Sequence, residues 1–303
     1  MTPLMDYIKL VHIKNPDASP IIAYCNHDFN SNAPTVILVN AYGMPINVMH
    51  PIISRLRILD FNTISWDCRG LPDTNFHVLN SCLSINEHYN DWCAVRDNFN
   101  LNNVSMIGWS TGAVVASFIA CHDKKSLQSL VMLNGSFMHP NAKLTAFQSN
   151  LQSIMPKVAL SRKVASILYK SVFSGSRSSI VNLLTKDISY KANEAMSVTL
   201  PQHKHLVQLL TKGPEEVFRY ACLIKAFVKE NPMEWLSRID VPTFVFTCSE
   251  DITAHPQGSY DAAAEIAKSK MYEHESGTHT ALYSDEDYIN AVFVSLNLQQ
   301  RMS

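Results

Sequence analysis

The sequence predicts an α/β protein with an open, mostly parallel β-sheet and helices on both of its faces. Two observations carry this prediction. Short apolar, β-branched runs recur along the first 136 residues and again after residue 240, and helical segments separate them. Parallel strands that are covered on both faces read as nearly continuous apolar runs, and TVILVN at 35–40 is such a run.

The individual elements follow from their periodicity. A strand covered on both faces is apolar throughout, whereas a helix places apolar residues three or four positions apart, as at 48, 49, 52, 53 and 56. In chain order these patterns predict strands at 7–13, 21–25 and 35–40, a helix at 46–58, a strand at 62–68, a helix at 85–99, the strand VSMIGW, the helix GAVVASFIACH and the strand LQSLVMLNG.

The alternation of strands and helices stops between residues 137 and 238, where prolines and glycines interrupt a helical pattern. It then resumes with a strand at 241–249, a helix at 260–268, the strand SKMYEHE and a helix at 287–296. We therefore predict an α/β core formed by residues 1–136 and 239–303, into which residues 137–238 are inserted as a helical lid.

The composition excludes several classes of protein. Hydrophobic residues make up 47% of the 303 residues, so the chain has enough apolar surface for a large core and is neither disordered nor fibrous. The formal net charge is −1, which argues against a nucleic-acid-binding protein that relies on an overall basic field. No metal-ligand set and no glycine-rich phosphate loop is evident in the sequence, so we expect no cofactor.

Cysteine usage and the amino-terminal residues bear on localisation. The seven cysteines are scattered and include no C-x-x-C pair, a pattern typical of reduced thiols rather than of a disulfide framework or a zinc site. The amino terminus lacks a basic segment followed by an apolar one, and no apolar run approaches the ~18 residues of a membrane span. We expect a cytoplasmic protein without an integral membrane segment.

The predicted lid carries a charge that the whole-chain sum conceals. Residues 137–238 contain 14 Lys and Arg against 6 Asp and Glu, a net of +8, and the rest of the chain contains 11 against 20, a net of −9. One interpretation is that solvated helix faces are rich in lysine. The other is that the lid docks an anionic partner, either an acyl carrier protein or anionic lipid headgroups.

The strongest motif in the chain is the G-x-S-x-G sequence formed by Gly108, Trp109, Ser110, Thr111 and Gly112. It lies between a predicted strand and a predicted helix. A serine hydroxyl is a poor nucleophile unless the backbone presents it beside a base, and a sharp strand-to-helix turn presents it in this way. Crowding in such a turn requires small residues two positions before and two positions after the serine. Ser110 is therefore the predicted nucleophile.

At this motif the chain resembles the α/β-hydrolase family of serine hydrolases, and the resemblance extends over nearly the whole sequence. In that family the acid follows a late strand, and the histidine lies in a loop near the carboxyl end. The resemblance implies an α/β-hydrolase fold with a helical lid and a catalytic triad of Ser110, Asp251 and His279. Asp251 follows the strand TFVFTCS, and His279 lies in SGTHTALY.

Both partners of the serine have rivals in the sequence. Glu250 adjoins Asp251, but neighbouring side chains at the end of a strand point in opposite directions, so only one of them faces the site. His255 and His274 compete with His279. His274 lies within a predicted strand, and His255 follows the acid so closely that its loop lines the pocket at most. We therefore assign the acid to Asp251 and the base to His279.

The resemblance also implies an oxyanion hole built from two backbone N–H groups. One belongs to Thr111, the residue after the nucleophile. The other belongs to the loop after the third strand, where many relatives carry His-Gly, whereas this sequence has N-A-Y-G at 40–43 and the donor maps to Tyr42. The sequence D-C-R-G at 67–70 matches the family's D-x-R-G turn, for which we expect a structural role that braces neighbouring loops.

These residues predict nucleophilic acyl transfer on a carboxylic ester or an acyl thioester. The triad does not specify the acceptor of the acyl group. Water makes the enzyme an esterase or a thioesterase, and another hydroxyl makes it an acyltransferase. The predicted lid is long and rich in apolar residues, which favours an acyl-chain substrate of the kind used in lipid metabolism.

Three alternatives stay open. The oxyanion loop at 40–43, the GWS elbow and the basic helical lid are also similar to the rhamnolipid-precursor acyltransferases, which join 3-hydroxyacyl groups taken from acyl carrier protein. Lyases and retro-Claisen enzymes use the same triad. The fold also hosts ligand-binding proteins that catalyse no reaction, although these usually have a damaged triad.

Overall fold

The computed structural model describes residues 7–14, 20–30, 32–70, 83–170 and 212–300 of the chain. Within these ranges the backbone forms eight strands, which are β1 (Ile8–Lys14), β2 (Pro20–Asn26), β3 (Thr35–Val39), β4 (Asn62–Trp66), β5 (Val104–Trp109), β6 (Leu127–Leu133), β7 (Thr243–Cys248) and β8 (Ser269–His274). They form one sheet in the order β1-β2-β4-β3-β5-β6-β7-β8.

Most of the sheet is parallel. Strand β2 pairs antiparallel with β1 and with β4, and the strands from β4 to β8 pair parallel with one another. Strand β3 lies between β4 and β5, so the chain leaves β3 towards one edge of the sheet and later returns to its other side. In open α/β sheets the carboxyl ends of the strands at such a reversal form a crevice, and ligands bind there.

Helices cover both faces of the sheet. Those that the structure describes are α1 (His50–Ile58), α2 (Ile85–Phe99), α3 (Thr111–His122), α4 (Ala146–Val158), α5 (Arg162–Leu168), α6 (Pro214–Phe227), α7 (Met233–Leu236), α8 (Pro256–Glu265), α9 (Ala281–Ser284) and α10 (Glu286–Gln300). None of these described helices has the length and apolar character that crossing a membrane requires.

The two faces of the sheet belong to two hydrophobic clusters. In β3, Ile37 and Val39 join the cluster that contains side chains of α2 and α3, and Val36 and Leu38 join the cluster that contains side chains of α1 and α10. All four side chains are buried. Burial on both faces explains why β3 reads as a continuous apolar run. The predicted α/β class with a mostly parallel sheet is confirmed.

Two helices begin at other positions than the apolar pattern predicts. The segment predicted as one helix at 46–58 opens with a short 3-10 helix, Ile46–Met49, and α1 starts only after it, with Pro51 as its second residue. The helix predicted at 260–268 occupies Pro256–Glu265 instead. Proline is favoured in the first turn of a helix because it lacks an N–H that would have no partner there. The prolines mark both helix starts, which apolar spacing does not reveal.

Four described helices, α4 to α7, lie between β6 and β7, within the region that the sequence predicts as a lid. Residues 171–211 of that region lie outside the described residues, so the division into core and lid stays a prediction. The start of α4 is tied to the loop after β7. Thr145 Oγ1 donates to Thr253 O (3.1 Å), and Gln148 Oε1 accepts from the His255 amide (3.0 Å).

The D-x-R-G sequence at 67–70 connects β2 and β4 to α2. The Arg69 guanidinium is buried and donates two hydrogen bonds of 2.7 Å to the carboxylate of Asp91 on α2. Asp67 accepts a hydrogen bond from the Tyr24 hydroxyl on β2 (2.9 Å). These contacts connect the turn to a helix and to a strand, and its expected role in bracing the neighbouring loops stays a prediction.

We predict that Asp91→Ala destabilises the protein strongly. The substitution leaves the buried charge of Arg69 without its bidentate partner, and the loss of one member of a buried ion pair costs about 3–5 kcal/mol. Asp97→Ala is the control, because Asp97 lies on the same helix and its side chain, 69% exposed, pairs with Arg96. A surface pair contributes only about 0–1 kcal/mol. Urea unfolding measures both free energies, and equal losses in the two variants would contradict the prediction.

Candidate active site

Ser110 lies in the turn between β5 and α3, at the point where the strand order reverses. Its backbone has φ 57° and ψ −120°, a conformation that residues other than glycine rarely adopt. Two hydrogen bonds from the end of β6 and from the turn that follows it hold this turn: the Ser110 amide donates to Leu133 O (2.9 Å), and the Ser136 amide donates to Ser110 O (3.1 Å). The strained serine is therefore held on both sides of its backbone.

The two glycines of the motif allow a close approach between elements. A Cβ atom at Gly108 would lie 2.6 Å from Gly112 O, and one at Gly112 would lie 2.2 Å from Val39 O at the end of β3. Both distances are far below van der Waals contact. Glycine at these positions lets the first turn of α3 pack directly against the end of β3.

Ser110, His279 and Asp251 form a continuous chain of hydrogen bonds. His279 Nε2 lies 3.0 Å from Ser110 Oγ, and His279 Nδ1 lies 2.7 Å from Asp251 Oδ2. Because a carboxylate only accepts hydrogen bonds, the proton belongs on Nδ1, and Nε2 accepts from the serine hydroxyl. All three residues are buried. The structure thus brings together a serine, an acid and a histidine that lie in three separate segments of the sequence.

Several donors converge on the Asp251 carboxylate. Its Oδ1 accepts from the amides of Thr253 and Ala254, both at 2.8 Å, and its Oδ2 accepts from Asn134 Nδ2 (3.1 Å) as well as from the imidazole. The rival carboxylate, Glu250, is exposed, whereas Asp251 is 4% exposed and bonds the imidazole.

The two rival histidines lie in other hydrogen-bond networks. His255 precedes α8, and its Nδ1 accepts from the Gln257 amide (3.1 Å), which caps the helix. Burial, with a contribution from nearby Lys143, lowers the pKa of His255. His274, at the end of β8, has its Nε2 2.6 Å from Asp285 Oδ2. The third candidate histidine is the one that bonds the serine.

Three residues around the base and the acid were not predicted from the sequence. Trp109 Nε1 donates to His279 O (3.2 Å), and its ring lies 5.5 Å from the imidazole, centroid to centroid. Asn134 bonds the acid, and the Tyr288 hydroxyl donates to Asn134 Oδ1. Trp109 occupies the first variable position of G-x-S-x-G, so the motif does not single it out. Tyr288 lies in no recognisable pattern. Asn134 follows a strand and precedes a glycine, which is a turn signal and nothing more specific.

The two predicted oxyanion donors lie next to each other. Thr111 is the first residue of α3, so its amide has no partner within the helix. The Tyr42 amide donates to Oγ1 of Thr111 at 2.8 Å. The threonine hydroxyl thus occupies the predicted donor at Tyr42, a contact that the sequence does not reveal.

The loop that carries Tyr42 is held by a side chain within it and by a ring contact with α2. Asn40 Nδ2 donates to Met44 O (3.0 Å), which closes the loop on itself. The Tyr42 ring is 3% exposed and stacks on His88, with the ring centroids 4.8 Å apart. Burial, with a smaller effect of Arg69, lowers the pKa of His88 to about 3, so the stacked imidazole is neutral near pH 7. The tyrosine side chain thus anchors the loop in the core.

The polar groups at the site are a hydroxyl, an imidazole and a carboxylate in series. This arrangement activates a hydroxyl as a nucleophile, because the imidazole accepts its proton and the carboxylate orients the imidazole. Within the described ranges no three His, Cys, Asp or Glu side chains come together as ligands for a metal ion.

Comparisons with solved structures identify the fold. The enol-lactonase from Burkholderia xenovorans matches with a TM-score of 0.69 and 14% identity, over 95% of this chain and 100% of that chain. The esterase from Exiguobacterium antarcticum matches with a TM-score of 0.72 and 13% identity, over 94% of this chain and 98% of that chain. A thermophilic esterase from Thermogutta terrifontis matches with a TM-score of 0.69 and 16% identity, over 96% of this chain and 99% of that chain. No protein-family model matches the sequence, and a search of the curated proteins found no match.

Proposed function

We propose that this chain, which has the α/β-hydrolase fold, is a serine hydrolase that cleaves carboxylic esters. The observation that carries the proposal is the hydrogen-bond chain from Ser110 through His279 to Asp251, with distances of 3.0 and 2.7 Å. It lies at the reversal of strand order, where open α/β sheets bind their ligands. The structural similarity to esterases and to an enol-lactonase supports ester bonds, open or cyclic, as the substrate class.

In the proposed mechanism, Ser110 Oγ attacks the carbonyl carbon of the ester. His279 Nε2 removes the hydroxyl proton as the new C–O bond forms, while Asp251 orients the imidazole and stabilises the positive charge that it acquires. The carbonyl oxygen becomes an oxyanion beside the amides of Tyr42 and Thr111. The amino-terminal end of α3 adds its positive dipole at the same point.

Collapse of the tetrahedral intermediate breaks the bond to the leaving alcohol, which takes the proton from His279 Nε2. The acyl group stays on Ser110 as an ester. Water then attacks this ester with His279 again as the base, and the second collapse returns a proton to Ser110 and releases the acid. A thioester follows the same course with a thiol as the leaving group, and an acyltransferase uses an alcohol in place of water.

The alternatives from the sequence make different predictions for the products. Hydrolysis of an ester releases one acid and one alcohol, whereas a lyase or a retro-Claisen enzyme cleaves a different bond with the same triad. A ligand-binding protein of this fold releases no product and usually lacks one of the three residues, whereas this chain has a candidate for each. The filled triad positions favour an enzyme over a ligand-binding protein, and the similarity to esterases and to a lactonase favours hydrolysis over the other two reactions.

We predict that Ser110→Ala removes nearly all turnover of an activated ester such as p-nitrophenyl acetate. The variant lacks the nucleophile, so we expect a loss on the order of 10³-fold or more. A fluorophosphonate should add one phosphonyl group at Ser110 of the wild-type protein and none in the variant, as read by mass spectrometry of the peptides. Labelling at a different serine would overturn the assignment.

Two adjacent carboxylates provide a matched comparison for the same experiment. Asp251→Asn keeps the size of the side chain but removes the charge beside His279, and it should lower kcat by about 10³–10⁴-fold. Glu250→Gln makes the same chemical change one residue earlier, at an exposed side chain, and should leave kcat within about twofold. The reverse result would assign the acid to Glu250.

We predict that Thr111→Val raises kcat/KM for a small ester by about three- to tenfold. Valine keeps the shape of threonine but removes the acceptor of the Tyr42 N–H, which then has no partner until the oxyanion forms. An interaction that is made only in the transition state increases the rate. Steady-state kinetics measure the change, with Thr111→Ser, which keeps the hydroxyl, as the control. A loss in Thr111→Val with full activity in Thr111→Ser would mean that the hydroxyl assists the reaction.

We further propose that exposed lysines in the predicted lid recruit an acidic acyl donor such as an acyl carrier protein. Lys157, Lys163 and Lys170 are exposed on and beside α4 and α5. Arg162 in the same region pairs with Glu215 (2.8 Å), so Lys157 and Lys163 are better candidates than Arg162 for contact with a partner. The net charge of +8 over residues 137–238 supports this proposal, because an acidic partner would be attracted from a distance.

We predict that salt raises KM for a carrier-protein thioester but not for a small neutral ester. Exposed charges are screened over ~8 Å at physiological ionic strength, so recruitment by them weakens as salt increases. Replacing Lys157, Lys163 and Lys170 with glutamate should cause the same selective rise. The control replaces Lys124 and Lys125, which are exposed after α3 in the predicted core. Equal responses of both substrates would mean that the lysines are ordinary surface residues.

A further inference from the structure

Hydrogen bonds continue beyond the acid into the protein interior. Asn134 Nδ2 donates to Asp251 Oδ2 (3.1 Å), and the Tyr288 hydroxyl donates to Asn134 Oδ1. Asn134 and Tyr288 are 1% and 0% exposed. The oxygen that Asn134 bonds is the same one that bonds His279 Nδ1, so Asn134 acts on the atom that orients the base.

Asn134 lies in a turn that contacts both the acid and the nucleophile. It follows β6 and has φ 47°, in the left-handed region that asparagine tolerates better than most residues. Its backbone N–H donates to Phe246 O on β7 (2.9 Å). Leu133 and Ser136 of the same turn form the two backbone hydrogen bonds to Ser110. The turn therefore holds the serine through its backbone and the acid through one side chain.

The Asp251 carboxylate and the Tyr288 hydroxyl determine the orientation of the Asn134 side-chain amide, which also forms a hydrogen bond with the Cys248 thiol. A carboxylate offers only acceptors, so the NH2 group faces Asp251 and the carbonyl oxygen faces Tyr288. Burial raises the pKa of Tyr288 well above its ordinary value, so the hydroxyl keeps its proton and donates it. Asp285 holds Tyr288 in the first turn of α10, because its Oδ1 accepts from the Tyr288 amide (2.9 Å).

We propose that Asn134 and Tyr288 are positioning residues that hold Asp251 in the orientation from which it bonds His279. This inference rests on the proposed function, because it assigns them a role relative to the proposed base. Asn134 acts directly on the carboxylate. Tyr288 acts through Asn134, by keeping the NH2 group on the side of the acid.

The loss of the Tyr288 hydroxyl has a defined consequence in this arrangement. The buried Oδ1 of Asn134 then lacks its donor, and only the carboxylate still favours the amide orientation that places NH2 against Asp251, so the amide is held less firmly. A reversed amide brings two oxygen atoms together and displaces the carboxylate. The imidazole of His279 loses its orientation, while the surface that binds the substrate is unchanged.

Tyr288→Phe tests the inference against a matched control. It removes one buried hydroxyl, and Tyr7→Phe removes another, which bonds His50 Nε2 at 2.8 Å. For Tyr288→Phe we expect kcat for an activated ester, and the rate of fluorophosphonate labelling at Ser110, to fall by about 10–100-fold, with KM within about twofold. For Tyr7→Phe we expect kcat, the labelling rate and KM to stay within about twofold of wild type. Its melting temperature should nevertheless fall by about as much as that of Tyr288→Phe, because each variant loses one buried hydroxyl.

Asn134→Gly is the second variant, since glycine adopts a positive φ without strain and lacks the amide. It should lower kcat by at least as much as Tyr288→Phe, and the double variant should be no slower than Asn134→Gly, because Tyr288 acts through Asn134. Losses that multiply in the double variant would overturn this order of action. Full kcat in folded Tyr288→Phe would overturn the inference, and full kcat in Asn134→Gly would do so even if Tyr288→Phe fails to fold.

These outcomes are distinct from a failure of the proposed function. If the wild-type protein neither turns over esters nor reacts with the fluorophosphonate at Ser110, both proposals are wrong. If the wild-type protein does both and the two variants keep its kcat, only the role of Asn134 and Tyr288 is wrong.

Discussion

The first turn of α3 packs against the end of β3, and the rest of the site depends on this contact. A Cβ atom at Gly112 would lie 2.2 Å from Val39 O, so the two elements approach each other only because that atom is missing. The approach places Thr111 against Tyr42, with hydroxyl oxygen and amide nitrogen 2.8 Å apart. It also makes the turn between β5 and α3 so sharp that Ser110 adopts φ 57°. The candidate nucleophile and both candidate oxyanion donors thus share one steric cause.

A strained turn of this kind persists only where its surroundings determine its conformation, since it costs on the order of 1–3 kcal/mol. The end of β6 and the turn that follows it provide that support through the hydrogen bonds of Leu133 and Ser136 to the Ser110 backbone. Strand β6 pairs in turn with β7, which leads into the Asp251 loop. The serine and the acid thus follow β5 and β7, which flank β6 in the sheet, and the pairing of these three buried strands sets the spacing between the two residues.

The sequence by itself determined the class of fold and the local chemistry of the site. The G-x-S-x-G motif is local, because its five residues lie in one turn and its glycines meet a steric requirement within that turn. The apolar runs are local too, since each reports the burial of one strand on both faces. Ser110, Asp251 and His279 were predicted as a triad because their order along the chain matches that of the family which the sequence resembles. The starts of α1 and α8 were misplaced because apolar spacing outweighed the proline signals at Pro51 and Pro256.

The tertiary structure alone decided which further polar residues meet at the site. Asn134 lies 117 residues from Asp251 and 154 residues from Tyr288, and Tyr42 lies 69 residues from Thr111. No local propensity links positions so far apart. A periodic pattern records which face of an element is buried, but not which side chain that face will meet. These contacts follow from the order of strands in the sheet, which brings the carboxyl ends of β3, β5, β6 and β7 to one edge.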